Sequence, residues 1–153
     1  MTADILVFDV RKRRPQNWVR YPCAVPECSR AEALGTRRLC NEHHDTLLSD
    51  IAARLGVAPR RVTVNDGGYV ILAGLRPNGR TVSEHKVVME RMLGRELYPG
   101  ENVHHRNGNR ADNRPKNLEL WVTFQPSGQR PADLVAYAHE ILARYGGGVG
   151  PTL

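Results

Sequence analysis

Two adjacent histidines, His104 and His105, lie in a stretch that is rich in asparagine and arginine and poor in apolar residues. Imidazole nitrogens bind divalent metal ions and also exchange protons near neutral pH. Asn117, twelve residues after His105, carries an amide that can donate and accept hydrogen bonds at once, so it can tether the polar loop between them. The pattern therefore predicts a single divalent-metal site at a tethered loop.

A second group of residues, near the beginning of the chain, has the spacing of zinc ligands. Cys23, Cys28, Cys40 and His43 form a C-x4-C-x11-C-x2-H pattern that uses all three cysteines of the chain. Tetrahedral zinc takes four thiolate or imidazole ligands, and a complete set leaves no position for substrate. We therefore expect a structural zinc ion here, with His44 as the alternative fourth ligand.

The elements that must position these residues follow from periodicity and turn signals. Residues 103–105 and 118–122 alternate like two strands of a hairpin, and residues 106–109 favour a turn. Asparagine, aspartate and glycine at 65–68 predict an earlier hairpin.

Three helices are also predicted. They end near Gly56, Gly94 and Tyr145, and we expect the last one to pack across the hairpin at 103–122. Thr81 and Glu84 have the spacing of a capping box at the start of the second helix.

Composition places limits on the kind of protein. The chain has 22 Lys and Arg against 16 Asp and Glu, a net charge of +6, which favours an anionic partner such as DNA. No apolar stretch approaches the ~18 residues that a membrane span needs, and the first residues lack the order of a secretory signal. An odd number of cysteines, three, argues against a disulfide framework. We therefore expect an intracellular protein without a membrane segment.

The segment VHHRNGNRADNRPKNLELW resembles the HNH homing-endonuclease type of ββα-metal nuclease, also called the His-Me finger. The resemblance extends over roughly residues 62–146, and the cysteine segment resembles zinc-binding segments that precede such domains in phage and actinobacterial proteins. We therefore predict an α+β protein with a ββα-metal nuclease core and an N-terminal Cys3His zinc module. The predicted divisions are a basic arm (1–20), the zinc module with its helix (21–58), the nuclease domain (62–146) and a flexible tail (147–153).

The resemblance implies a role for each matching residue. His104 matches the metal ligand, His105 the general base that activates water, and Asn117 the residue that holds the loop. The family's final histidine ligand has no counterpart, and Gln125 is the nearest candidate, with Gln129 a weaker one. The implied cofactor is a divalent ion, Mg²⁺ or else Mn²⁺, Zn²⁺ or Ni²⁺.

The implied substrate is DNA, cut on one strand or on both. Four cations beside the histidines are candidates for phosphate contacts: Arg106, Arg110, Arg114 and Lys116. Two rival functions remain open, a DNA-binding module that has lost turnover and an accessory subunit of a phage DNA-packaging terminase. The sequence does not determine the oligomeric state.

Overall fold

The computed structural model describes residues 8, 21–33, 38–123 and 130–147. The predicted basic arm, apart from Phe8, and the predicted tail after residue 147 lie outside the described residues, as do Gln125 and Gln129. The elements in chain order are α1 (Asn41–Leu55), β1 (Arg61–Val64), β2 (Val70–Ala73), β3 (Val82–Ser83), α2 (Glu84–Leu93), β4 (Glu101–His105), a 3₁₀ turn (Pro115–Asn117), β5 (Leu118–Val122) and α3 (Pro131–Tyr145).

The strands form two separate antiparallel sheets. One has the order β1-β2-β3, and the other is the hairpin of β4 and β5. The predicted turn at 65–68 closes the first hairpin: the side-chain oxygen of Asn65 accepts hydrogen bonds from the backbone N–H groups of Gly67 and Tyr69, at 3.0 and 2.9 Å. Helices and antiparallel strands together confirm the α+β class.

One hydrophobic core joins the cysteine segment to the two sheets. α1 contributes Leu47, Ile51 and Leu55 from one face, as its periodicity predicts. The same cluster contains Cys23 and also Leu118 of β5. The segment that carries the cysteines and the hairpin that carries the histidines therefore contribute to one common core.

Helix α2 separates the two sheets and begins differently from the prediction. Its N-cap residue is Ser83, which makes no side-chain capping bond, and Glu84 is fully buried. The predicted capping box of Thr81 and Glu84 is therefore wrong. Glu84 lies on the buried face of the helix together with Val88, four residues later, which turns its carboxylate into the protein interior.

Helix α3 has no buried residue. The expectation that it packs across the β4–β5 hairpin is therefore wrong for the described residues. The helix is joined to β4 at its last residue, where the Tyr145 hydroxyl donates to Oε1 of Glu101 at 2.5 Å. Within the described residues, none of the helices combines the length and the apolar character that a membrane crossing requires.

Candidate functional site

Three cysteines and a histidine converge beside the start of α1. The potential ligand atoms of Cys23, Cys28, Cys40 and His43 all lie within 4.8 Å of one another. Nδ1 of His43 is 3.4 Å from Sγ of Cys23 and also 3.4 Å from Sγ of Cys40. Ligands at 2.0–2.3 Å from a tetrahedral zinc ion lie roughly 3.5 Å from each other, so the cluster fits a zinc ion. None of the three cysteines is in a disulfide.

His44, the alternative ligand, points away from this cluster. Its Nδ1 lies 2.9 Å from Oδ1 of Asp45, and its Nε2 accepts the backbone N–H of Val62 at 3.4 Å. Because consecutive helical residues point in directions about a quarter-turn apart, His43 faces the thiols while His44 faces β1. The cluster therefore contains His43 and not His44.

The thiols are held in different electrostatic surroundings. Burial raises the pKa of Cys23 to about 11. Burial also acts on Cys40, but hydrogen bonds from the His43 backbone, from the neighbouring thiols and from Arg30 outweigh it and lower the pKa of Cys40. A metal ion that binds here must displace the Cys23 proton, which couples metal binding to proton release.

The adjacent histidines at the end of β4 point to opposite faces of the hairpin. His105 is 4% exposed and faces α2, whereas the His104 side chain is 46% exposed on the other face. This is the ordinary alternation of side chains along a strand. The structure therefore places the two rings on opposite faces of the hairpin, so each has different neighbours.

On the exposed face, a carboxylate holds the ring of His104. Nδ1 of His104 lies 2.9 Å from Oε1 of Glu119, and the ring stacks on Trp121 with a centroid distance of 4.4 Å. Hydrogen bonds from Trp121 and His104, together with the charge of Arg106, lower the pKa of Glu119. An ionised carboxylate only accepts hydrogen bonds, so Nδ1 carries the proton and Nε2 keeps a lone pair. A histidine held in this way by a carboxylate has the arrangement that metal ligands usually have.

On the buried face, a carboxamide holds the ring of His105. Nε2 of His105 lies 2.8 Å from Oδ1 of Asn113, and Nδ2 of Asn113 donates to Oε2 of Glu84 at 2.7 Å. Because Asn113 presents its oxygen, Nε2 carries the proton and Nδ1 keeps the lone pair. No hydrogen bond from the described residues reaches that Nδ1.

His85 completes the surroundings of His105. The two rings meet edge to face at 5.1 Å, and Tyr69 lies 6.0 Å from His105. Burial, followed by the charges of His105 and Lys86, lowers the pKa of His85 to about 4. Within the described residues, Nδ1 of His85 is buried without a hydrogen-bond partner. His85 is therefore a neutral ring at neutral pH, packed against His105.

The loop between the strands is tied to Asn117 from two sides. The side-chain oxygen of Asn117 accepts the backbone N–H of Asn107 at 3.1 Å, and its Nδ2 donates to the backbone oxygen of Asp112 at 2.8 Å. Both ends of the buried amide are thus used, which limits the conformations of the loop.

Two of the four candidate phosphate ligands are engaged inside the protein. Arg114 forms two hydrogen bonds of 2.7 Å with Asp112, whose pKa these bonds lower. Arg110 donates to the backbone oxygen of Gly67 at 2.9 Å and lies over the ring of Tyr69. Both guanidinium groups therefore help to shape the loop.

The other two cations are more available. Arg106 lies 3.4 Å from Glu119, and its side chain is 49% exposed. Lys116 is exposed and forms no ion pair with any described residue. Lys116 is therefore the candidate that can contact an anion without losing an internal partner.

Residues 83–123 match the protein-family model described as HNH endonuclease. This segment of the chain is similar to the HNH endonuclease family. The matched segment runs from Ser83 through α2 and the β4–β5 hairpin, and it includes His104, His105 and Asn117. No curated protein and no solved structure matches the chain.

Two buried residues of the matched segment did not stand out in the sequence. Glu84 was expected to cap a helix, but it is buried behind His105 and bonded to Asn113, which is also buried. The position of Glu84 four residues before buried Val88 is a signal that could have placed it on the inner face of α2. The partner of an inward-facing carboxylate, however, has no local signal.

Proposed function

We propose that this protein is a metal-dependent endonuclease that hydrolyses DNA phosphodiester bonds. The observation that carries the proposal is that, within the matched segment, each histidine has one ring nitrogen held and the other free. His104 keeps the lone pair of Nε2, and His105 keeps the lone pair of Nδ1. One free nitrogen suits a metal ligand and the other suits a base.

His105 is the proposed general base. Its Nδ1 takes a proton from the water that attacks the phosphorus, and the Nε2 hydrogen bond to Asn113 keeps the ring oriented. His105 exposes little surface, so the substrate phosphate is proposed to approach the ring edge across the end of β4. The tether from Asn117 holds the adjoining loop in place.

His104 is the proposed ligand of the divalent ion, and Gln125 remains a proposed second ligand. His104 fits such an ion because Glu119 holds its ring with Nε2 free. When bound, Mg²⁺, Mn²⁺, Zn²⁺ or Ni²⁺ supplies positive charge that stabilises the phosphoryl oxygens and the leaving oxygen.

The Cys3His cluster is proposed to hold a structural zinc ion. Four protein ligands complete a tetrahedral shell, which excludes a substrate. Zinc would then stabilise residues 21–58, where α1 and the cysteines join the common core.

DNA is the proposed substrate because the chain is basic and exposed cations flank the histidines. Lys116 and Arg106 are the proposed phosphate contacts of greatest weight, since Arg110 and Arg114 are held by internal partners. Phosphate contacts of this kind give affinity without sequence specificity.

The experiment compares wild type, His105→Ala and His104→Ala on supercoiled plasmid, over a series of Mg²⁺ and Mn²⁺ concentrations and with EDTA. Loss of a base lowers the rate at every metal concentration, by about 10²–10⁴-fold. Loss of a metal ligand shifts activity to higher metal concentration, so His104→Ala should recover rate as the metal is raised. Zinc content and circular dichroism check that each variant is folded.

Three outcomes contradict the proposal in different ways. Full activity in His105→Ala removes the role of the base, and metal rescue of His105→Ala but not of His104→Ala exchanges the two roles. DNA binding without cleavage by wild type supports the binding-only alternative. Cleavage that appears only with a phage terminase supports the accessory-subunit alternative.

A further inference from the structure

A line of polar contacts runs from His105 through Asn113 and Glu84 to Arg54. Arg54 belongs to α1, the helix of the segment that carries the Cys3His cluster. Nε2 of His105 lies 2.8 Å from Oδ1 of Asn113, and Nδ2 of Asn113 lies 2.7 Å from Oε2 of Glu84. Nη2 of Arg54, in the last turn of α1, lies 2.8 Å from the other carboxylate oxygen of Glu84. Three elements distant in sequence are thus linked by side chains.

The donors and acceptors of these groups determine which group donates in each hydrogen bond of the line. An ionised carboxylate only accepts hydrogen bonds, so Asn113 must turn its NH₂ group toward Glu84. Its oxygen must then face His105, whose Nε2 must carry a proton. The lone pair is left on Nδ1, the nitrogen without a hydrogen bond from the described residues. The ionisation of Glu84 therefore selects the tautomer of His105.

Arg54 is the group that favours this ionisation. Glu84 is fully buried, and burial raises its pKa above the ordinary value; the charge of Arg54 and then the hydrogen bond from Asn113 oppose this effect without cancelling it. The contact of Arg54 with Oε1 is an ion pair without the alignment of a hydrogen bond. Its influence is therefore mainly electrostatic, and a cation of another shape can replace it in part.

If the Arg54 charge is removed, Glu84 loses the cation that favours its ionised form. The donors and acceptors along the line can then exchange roles. A protonated Glu84 becomes a donor, and it can donate to the oxygen of Asn113. The NH₂ group of Asn113 then faces His105, so Nε2 must hold the lone pair and Nδ1 the proton. In that state the proposed base presents N–H where it needs a lone pair.

We propose that Arg54, Glu84 and Asn113 are positioning residues that hold His105 in the tautomer with its lone pair on Nδ1, and that α1 thereby joins the zinc module to catalysis. This inference rests on the role of His105 in the proposed function. The ordinary alternative is an ion pair that only stabilises the fold. The Arg54 side chain is also 41% exposed and lines a cavity of about 410 Å³. A second alternative is therefore that Arg54 contacts DNA directly.

The experiment uses the full zinc-loaded protein and the variants Arg54→Gln, Arg54→Lys and Arg91→Gln. Arg91 lines the same cavity but lies outside the line to His105, so Arg91→Gln is a control for the loss of one cation. Steady-state cleavage of plasmid DNA gives kcat and KM. Long-range ¹H–¹⁵N correlation spectra report which ring nitrogen of His105 carries the proton, with His105→Asn used to assign the signals.

We expect Arg54→Gln to lower kcat by about 10- to 100-fold, the usual range for a group that orients a functional histidine. KM should change by less than about threefold, and Arg54→Lys should restore most of kcat because the charge returns. Wild type should show a pyridine-like Nδ1 in His105, and Arg54→Gln should shift that signal toward the protonated form. Arg91→Gln should resemble wild type in both measurements.

Several results overturn the inference. A wild-type kcat and an unchanged His105 spectrum in Arg54→Gln mean that the ion pair is only structural, and a rise in KM alone means that Arg54 contacts DNA. If Arg54→Gln does not fold, Glu84→Gln replaces it, and an unchanged His105 tautomer in that variant overturns the inference. If wild type does not cleave DNA, the proposed function fails by itself, and the spectra still decide whether Arg54 controls the tautomer.

Discussion

Replacing Glu101 by glutamine should remove the contribution of this residue to the loss of folding stability at acidic pH. Glu101 begins β4, and its side chain is completely buried. Arg95 donates to both of its oxygens at 2.8 Å, the backbone N–H of Tyr98 donates at 2.7 Å, and the Tyr145 hydroxyl donates at 2.5 Å. Burial alone would raise the pKa of Glu101, but these bonds and the Arg95 charge lower it to about 2.

The size of this contribution follows from the difference between the pKa of Glu101 in the folded chain and its pKa in the unfolded chain. The ordinary pKa of a glutamate side chain is 4.5 and folding lowers it to about 2, which corresponds to about 3 kcal/mol of free energy of unfolding. A lowered folded pKa means that this contribution is fully present above pH 4.5 and is lost as the pH falls toward 2. By pH 3 about 2 kcal/mol should be lost.

The assay is urea unfolding at pH 7, 5, 4 and 3, followed by tryptophan fluorescence, on wild type and Glu101→Gln. The difference between the two proteins should shrink by about 2 kcal/mol between pH 5 and pH 3. Taking the difference cancels the effect of acid on the cysteine cluster. Glu96→Gln is the matched control, because the Glu96 side chain is 82% exposed beside Arg76. Parallel pH profiles for wild type and Glu101→Gln would refute the reasoning.

Two further predictions concern the metal cluster and DNA binding. Chelation of zinc, or the substitution Cys28→Ser, should lower the bound zinc from one ion per chain to near zero. The helical circular dichroism signal should fall at the same time. A zinc-free protein that stays fully folded would contradict this prediction. For DNA, Lys116→Ala should reduce the slope of log K against log salt by about 1, because Lys116 has no ion-pair partner among the described residues. Arg114→Ala should reduce it less, because Arg114 is paired with Asp112, and an equal change would contradict the argument.

Much of the local architecture was predictable because its signals are local. The asparagine and glycine residues at 65–68 determine a turn by their own conformational preferences, and the structure has that hairpin. The spacing of the cysteines and His43 predicts a compact ligand set, which the structure contains. The family resemblance on residues 103–121 is likewise carried by the residues themselves and agrees with the match over 83–123.

Other features depended on contacts between residues that are distant in sequence. Spacing favours His43 over His44 but leaves His44 open, and the packing of α1 against β1, which turns His44 toward Val62, excludes His44 from the cluster. The place where α3 packs could not be predicted from the sequence either. Its apolar spacing indicates a helix, but it does not indicate which surface the helix contacts.

The sequence by itself determined which residues are available for chemistry: a pair of histidines, an asparagine that can tether a loop, and three cysteines and a histidine at the spacing of metal ligands. The tertiary structure alone decided how the histidines are held. It turned His104 toward Glu119 and His105 toward Asn113, and it brought Arg54 to the buried carboxylate of Glu84. The physical reason is that a tautomer depends on the donor or acceptor opposite each ring nitrogen, and folding, not spacing, selects those partners.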